Sequence, residues 1–223
     1  MIELTPDLIL KAYACGVFPM AERHDASEVY WIDPDFRGVL PLDRFHVPKR
    51  LARTMRSGVF EIRADHDFLA TVRGCARRTG KRRETWINAQ IMDVFVELHE
   101  RGYAHSVEAW RDDQLVGGLY GVALGGAFFG ESMFSLERDA SKIALVALVE
   151  RLRRGGFALL DTQFVTAHLR TFGATEIPRS QYLARLADAL SRPASFYSVD
   201  DEPAALSAAS SSLAGRQSTT QTS

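Results

Sequence analysis

The spacing of apolar and polar positions changes several times along the chain, and each change marks an element. Leu8, Ile9, Ala12 and Tyr13 recur at helical intervals between Thr5, a cap, and Gly16, a stop, with Pro6 in the first turn. Val17-Phe18-Pro19-Met20 then leads into a polar loop. Val29–Ile32 and Arg37–Leu40 are short strand-like runs separated by the turn signal Asp33-Pro34-Asp35. Pro48 opens a helix to about Arg56, Phe60–Arg63 alternates as a strand, and a helix follows from about Asp67 to Ala76. Ile91, Val94, Phe95 and Leu98 form the apolar stripe of a helix from about Ala89 to Glu100.

A hairpin-rich section comes next. His105–Trp110 and Leu115–Leu124 flank the turn pair Asp112-Asp113, and Gly125-Gly126 separates the second strand from Ala127–Phe134. Ala140–Arg153 is a strong helix broken at Gly155-Gly156. Phe157–Asp161 reads as a buried strand, Phe164–Thr171 as a helix, and Pro178 starts a last helix to about Leu190. This order predicts an α+β fold with a mixed, mostly antiparallel sheet. Strand–Gly-Gly–strand–helix also occurs in the acetyltransferase (GNAT) fold, where a splayed sheet admits an acyl donor. The expected division is a small N-terminal lobe over residues 1–38, a GNAT-like domain over 39–198 and a tail over 199–223. Ser207–Ser223 is mostly Ser, Ala, Thr and Gln, too little apolar surface to offset chain entropy, so the tail is expected to be disordered.

Composition narrows the class. A chain of 223 residues with 46% hydrophobic and 25% charged content is ordinary for a globular protein. No run approaches the roughly 18 apolar residues of a membrane helix, and the N-terminus lacks a secretory pattern. Two cysteines make no disulfide framework, and six histidines show no metal-ligand spacing. The expectation is a cytoplasmic monomer with no membrane contact, metal or cofactor. Net charge is only −1, yet Arg73, Arg77, Arg78, Lys81, Arg82 and Arg83 fall together without an acid between them. Lys49, Arg53 and Arg56 share one face of the helix after Pro48. Such patches serve a polyanion locally, whatever the net sum.

Three segments carry the most specific signal. They are His105-Ser106-Val107-Glu108 with Leu115 to Gly121; Phe129-Gly130-Glu131-Ser132-Met133-Phe134-Ser135; and Ala140-Ser141-Lys142. Gly16-Val17-Phe18-Pro19, Thr85-Trp86-Ile87, Leu160 to Gln163 and Gly173 to Arg179 extend the series in order. Across roughly residues 8–190 the chain resembles the leucyl/phenylalanyl-tRNA–protein transferase family. The resemblance implies transfer of leucine or phenylalanine from charged tRNA to the N-terminal amine of an acceptor protein, a mark for degradation under the N-end rule. It also implies acceptors beginning with Lys or Arg, for which Glu131, Glu108 and Asp161 are candidate acidic groups.

Aminoacyl-tRNA is an activated ester, and an α-amine of pKa about 7.7–8.0 is partly neutral near pH 7, so no covalent nucleophile is required. The resemblance assigns amine positioning or deprotonation to Asp161 and Gln163, two apart and on one face if extended; the alternative is that Asp161 caps a helix at Phe164. It places Glu131, Met133, Leu119, Phe128, Leu152 and Ser135 around the aminoacyl pocket. A charge at Glu131 in an apolar strand is costly unless paired, with Lys142 or Arg179 as candidate partners. Phe128 and Glu131 reach one site only if a bulge intervenes near Gly130. Trp86, Met20 and Phe95 are expected at the tRNA 3′ end, with Trp86 stacking on the terminal adenosine. Lys49, Arg53, Arg73, Arg77, Arg78, Lys81, Arg82 and Arg83 are expected on phosphates. Met20, Phe95 and Leu152 depart from the family's usual Trp, Tyr and Phe. These departures leave room for the same reaction with altered amino-acid or acceptor specificity. A CoA-dependent N-acetyltransferase is one rival reading, against which Arg138-Asp139-Ala140-Ser141-Lys142-Ile143 counts, having no glycines to hold a pyrophosphate. A non-catalytic RNA-binding module is the other, and it leaves Glu131, Asp161 and Gln163 without a role.

Overall fold

A computed structural model describes residues 4–26, 28–78 and 85–197. Helix α1 (Pro6–Ala14) begins at Thr5, whose hydroxyl accepts from the Leu8 N–H at 3.3 Å, and buries Ile9 and Tyr13. The stretch leading into the polar loop, given no element by pattern, is strand β1 (Phe18–Ala21), paired antiparallel with β2 (Val29–Ile32). Pro19 is tolerated there because a two-stranded sheet leaves one side of each strand unpaired.

The remaining strands form one seven-stranded sheet, in the order β4-β5-β6-β7-β8-β3-β9. Its centre is the meander of β5 (Ala104–Arg111), β6 (Gln114–Leu124) and β7 (Ala127–Ser135). The two turns follow from their residues: Asp112 and Asp113 both take positive φ, as does Gly125, matching the right-handed twist of tight hairpins. Edge strand β4 (Glu61–Ala64) pairs with β5, and β3 (Phe36–Val39) lies between β8 (Leu159–Gln163) and β9 (Thr175–Pro178). The expected boundary at residues 38–39 thus falls inside β3. Strand β9 was not foreseen.

Helices α2 (Lys49–Arg56), α3 (Phe68–Ala76) and α4 (Ala89–Glu100) precede the meander, with Asp67 and Asn88 capping the last two. Helix α5 (Ala140–Arg154) crosses from β7 to β8 and makes that pair parallel; the other strand pairs among the described residues are antiparallel. The helix expected over 164–171 shrinks to one turn, α6 (Ala167–Arg170), capped by Thr166 rather than Asp161. Helix α7 (Arg179–Leu190) closes the fold. One apolar layer joins Ile9, Tyr13, Phe95, Tyr120, Phe129 and Tyr182 on one face of the sheet. A second joins Leu51, Phe128, Leu148, Leu152, Leu160 and Phe172 on the face covered by α5. No helix among the described residues is long and apolar enough to cross a membrane.

Two local features shape the centre. Tyr120 pairs with Ser132 but Gly121 pairs with Gly130, so Glu131 is the extra residue of a β-bulge. Strands β7 and β8 pair only over Ala127–Phe129 and Leu159–Asp161, then part. The bulge demands a bare α-carbon opposite it: a Cβ at Gly121 would lie 2.3 Å from the Phe129 carbonyl oxygen. Gly121→Ala is therefore expected to cost about 2 kcal/mol, the usual scale of overpacking, and urea unfolding at constant m-value would show it; an unchanged midpoint would contradict it.

Candidate active site

Where β7 and β8 part, a cavity of about 370 Å³ opens. Its apolar wall is Leu119 and Met133 from the meander, Leu145 and Leu148 from α5, Leu160 from β8, and Leu169 from α6. Glu131, Thr162, Gln163 and His168 supply polar groups, and Met20, Trp86 and Phe164 complete the lining.

The bulge turns Glu131 into this space. Its Oε1 accepts the Tyr13 hydroxyl at 2.6 Å and the Gln163 Nε2–H at 3.1 Å. Its Oε2 is buried and has no hydrogen-bond partner among the described residues. Burial pushes the Glu131 carboxyl up from its ordinary 4.5 to about 7; the bonds from Tyr13 and Gln163 pull it down, and the nearby Asp161 pushes it up. The same burial, together with Glu131, raises Tyr13 well above the usual tyrosine range, so it remains a donor. The Thr162 hydroxyl and His168 Nε2 are also buried without a partner among the described residues. Burial chiefly, and then Lys142, lower the His168 value below 6.5, favouring neutral imidazole.

Asp161 lies behind this wall. It is fully buried and faces Arg37, itself 1% exposed. Arg37 Nε donates to both carboxylate oxygens at 3.0 Å, and Nη2 donates to Oδ2 at 2.7 Å. The Tyr182 hydroxyl and the Gln163 backbone N–H donate to it as well, each at 2.7 Å. The expectation that Asp161 and Gln163 share a face fails because Gln163 has φ +60°, outside the extended region that alternation requires. Asp161 thus meets the cavity only through Gln163.

Several other expectations need correction. The partners of Glu131 are Tyr13 and Gln163, both on Oε1, and not Lys142, which pairs with Asp139, nor Arg179, which pairs with Asp33. Phe128 does not line the cavity: it is fully buried in the core beside Phe157 and Phe196. Leu152 is buried one turn past the cavity, and Leu145 and Leu148 take the lining positions on α5. Phe95 is enclosed, edge-on to Tyr120. Ser135 lies at the exposed end of β7, where its Oγ accepts the Ser141 N–H. Glu108 is buried, accepting from Ser106, Trp110 and the Asp67 N–H, so it offers nothing to an acceptor.

Met20, Trp86, Leu119, Met133, Glu131 and Gln163 do meet at the cavity. Lys49, Arg53, Arg73, Arg77 and Arg78 are exposed; Lys81, Arg82 and Arg83 lie outside the described residues, as does the tail at 199–223. Sequence reasoning missed Tyr13, Arg37, Tyr182 and His168. The cost of an unpaired charge in an apolar strand, the argument applied to Glu131, also marks Arg37 beside Gly38-Val39-Leu40. Among the described residues no cluster of three or more His, Cys, Asp or Glu is placed to hold a metal.

A sequence model of leucyl/phenylalanyl-tRNA protein transferase matches residues 39–187, and one of the N-terminal domain of that protein matches residues 2–35. The leucyl/phenylalanyl-tRNA–protein transferase of Paramagnetospirillum magneticum is 63% identical over 196 residues, covering 88% of this chain and 94% of that protein. The protein of the same name from Nitrobacter winogradskyi is 55% identical over 217 residues, covering 97% and 96%. Among solved structures, L-PGS from Bacillus licheniformis overlays loosely, with a TM-score of 0.40 and 13% identity over 72% of this chain and 53% of that one.

The raised Glu131 value has a consequence for stability. Because the folded state holds this proton more tightly than the unfolded chain, the associated stabilisation is complete below about pH 4.5 and is lost as pH rises through about 7. Glu131→Gln escapes that loss. Its stability relative to the parent should improve by about 3 kcal/mol between pH 4.5 and 8, at roughly 1.4 kcal/mol per pKa unit. Denaturant unfolding at the two pH values checks this, and an equal difference at both would contradict it.

Proposed function

The chain belongs to the leucyl/phenylalanyl-tRNA–protein transferase family, and from that premise we propose that it moves leucine or phenylalanine from aminoacyl-tRNA to the N-terminal amine of an acceptor protein. The observation that carries the reading to particular residues is the orphaned Glu131 Oε2 in a cavity whose apolar wall is mostly leucine. An apolar side chain fills the space between Leu119, Met133, Leu145 and Leu148, and its α-amine donates to Glu131. A buried acceptor without a partner is satisfied only when such a donor arrives.

Gln163 gives its amide N–H to Glu131, and in the proposed reaction its carbonyl oxygen receives an N–H of the incoming acceptor amine. The amine nitrogen attacks the ester carbonyl carbon, the C–N bond forms, and the bond to the ribose oxygen breaks. One amine proton ends on that departing oxygen. Asp161, saturated by Arg37, Tyr182 and the Gln163 N–H, positions Gln163 instead of taking the proton. Catalysis then rests on alignment of two reactants more than on a strong base.

Trp86 and Met20 receive the tRNA 3′ end, and Lys49, Arg53, Arg73, Arg77 and Arg78 contact its phosphates, with Lys81, Arg82 and Arg83 extending the patch. We read the larger unit as acetyltransferase-like, on the parting of the parallel strands β7 and β8, preceded by a smaller N-terminal unit. The protein acts as a cytoplasmic monomer on acceptors beginning with Lys or Arg. Of the candidate acidic groups only Glu131 reaches the cavity, and in this reading its Oε2 takes the donor's α-amine, so the choice of Lys or Arg acceptors rests on the family resemblance.

Gln163→Ala should lower the single-turnover transfer rate of charged tRNA to a Lys-initiated peptide by at least about 100-fold, the scale expected when a reactant is misplaced. Binding of the same tRNA should change less than about threefold. Full transfer by this variant would remove Gln163 from the reaction.

A further inference from the structure

Arg37 is the most deeply buried cation of the described residues, at 1% exposure, and every part of its guanidinium is engaged. Nε and Nη2 grip Asp161, and Nη1 donates to the Gly16 carbonyl at 2.9 Å. The planar group lies between the rings of Phe18 and Tyr182, at 4.4 and 4.7 Å from their centroids. Three separate stretches of chain therefore converge on it: the end of α1 with β1, strand β8, and helix α7.

The far side of Asp161 leads into the site. Its Oδ1 accepts the Gln163 backbone N–H at 2.7 Å, and Gln163 holds φ +60°, a conformation costly for a residue with a side chain. That turn is also hemmed in by β3, where a Cβ on Gly38 would lie 2.8 Å from the Phe164 carbonyl carbon. The Gln163 amide then reaches Glu131.

We propose that Arg37 is a positioning residue for aminoacyl transfer: by orienting Asp161 it holds the left-handed turn at Gln163, and by binding Gly16 and Phe18 it couples docking of the N-terminal segment to alignment of the Gln163 amide. The proposal rests on the transferase reading given above. Charge alone does not suffice for this role. The fork geometry lets one group bind a carboxylate through two nitrogens while a third nitrogen reaches a carbonyl, and an ammonium cannot reproduce that. The same fork also explains why Asp161 serves the turn and not the substrate.

The test compares the full-length parent with Arg37→Lys and Tyr182→Phe, using charged tRNA and an N-terminal peptide. Arg37→Lys keeps the charge and loses the fork; it should lower kcat at least tenfold while KM for aminoacyl-tRNA stays within about threefold. Tyr182→Phe removes one donor to Asp161 and should lower kcat about threefold with the same constancy of KM. A purely structural role would reduce the folded fraction, read from the melting curve, without lowering kcat per tRNA-binding site. Parental kcat in folded Arg37→Lys overturns the proposal. If Arg37→Lys does not melt cooperatively, Tyr182→Phe decides, and parental kcat there overturns it equally. Absence of transfer by the parent would instead reject the transferase reading itself.

Discussion

The buried pair of Arg37 and Asp161 is the constraint around which the centre of the molecule is arranged. Removing two ions from water costs on the order of several kcal/mol each, and the pair persists only if their remaining donors and acceptors are met. Here they are met in full view of the site: Gly16 takes the third nitrogen, Tyr182 and the Gln163 N–H complete the carboxylate, and two rings cover the guanidinium. Satisfying this one pair requires α1, β1, β3, β8 and α7 to meet. The N-terminal segment is consequently part of the site's framework, and Tyr13, from the same segment, reaches Glu131 directly.

What the pair holds in place is a strand end that cannot continue. Strand β8 leaves β7 after Asp161, and Gln163 turns left-handed as it goes. A bulge on β7 lies beside the gap between the two strands and sends Glu131 into it. Two irregularities in neighbouring strands thus create one cavity, apolar on the α5 side and polar where Glu131 and Gln163 touch. That division fits an aminoacyl group, apolar at its side chain and donating at its amine.

Local signals conveyed much of this in the sequence. The turns at Asp112-Asp113 and Gly125-Gly126 and the long stripe of α4 act within a few residues, so pattern alone locates them. The cost of a charge in an apolar strand pointed to Glu131, and Gly130 pointed to the bulge beside it. Resemblance marked Gln163. Pattern failed where the outcome depends on partners distant in sequence. Asp161 looked available because its partner Arg37 lies 124 positions away, and resemblance alone placed Phe128 and Leu152 at the pocket and Phe95 at the tRNA 3′ end, where all three are fully buried by packing that no local signal shows. Residues 164–171 read as a helix, but the turn at Gln163 uses up the first part of the segment before Thr166 can cap one turn. The Pro19 strand was hidden by a residue that usually argues against pairing.

The division of labour between a saturated Asp161 and an open Glu131 is the centre of this account, and a bound-state structure tests it most directly. The measurement is a crystal structure with a non-hydrolysable phenylalanyl-adenosine amide. The α-amine is predicted within hydrogen-bonding distance, about 2.7–3.2 Å, of Glu131 Oε2, with the phenyl ring between Leu119 and Leu148 and Asp161 still gripped by Arg37. Asp161 released from Arg37 and turned onto the ligand, with Glu131 out of reach of the amine, would contradict it.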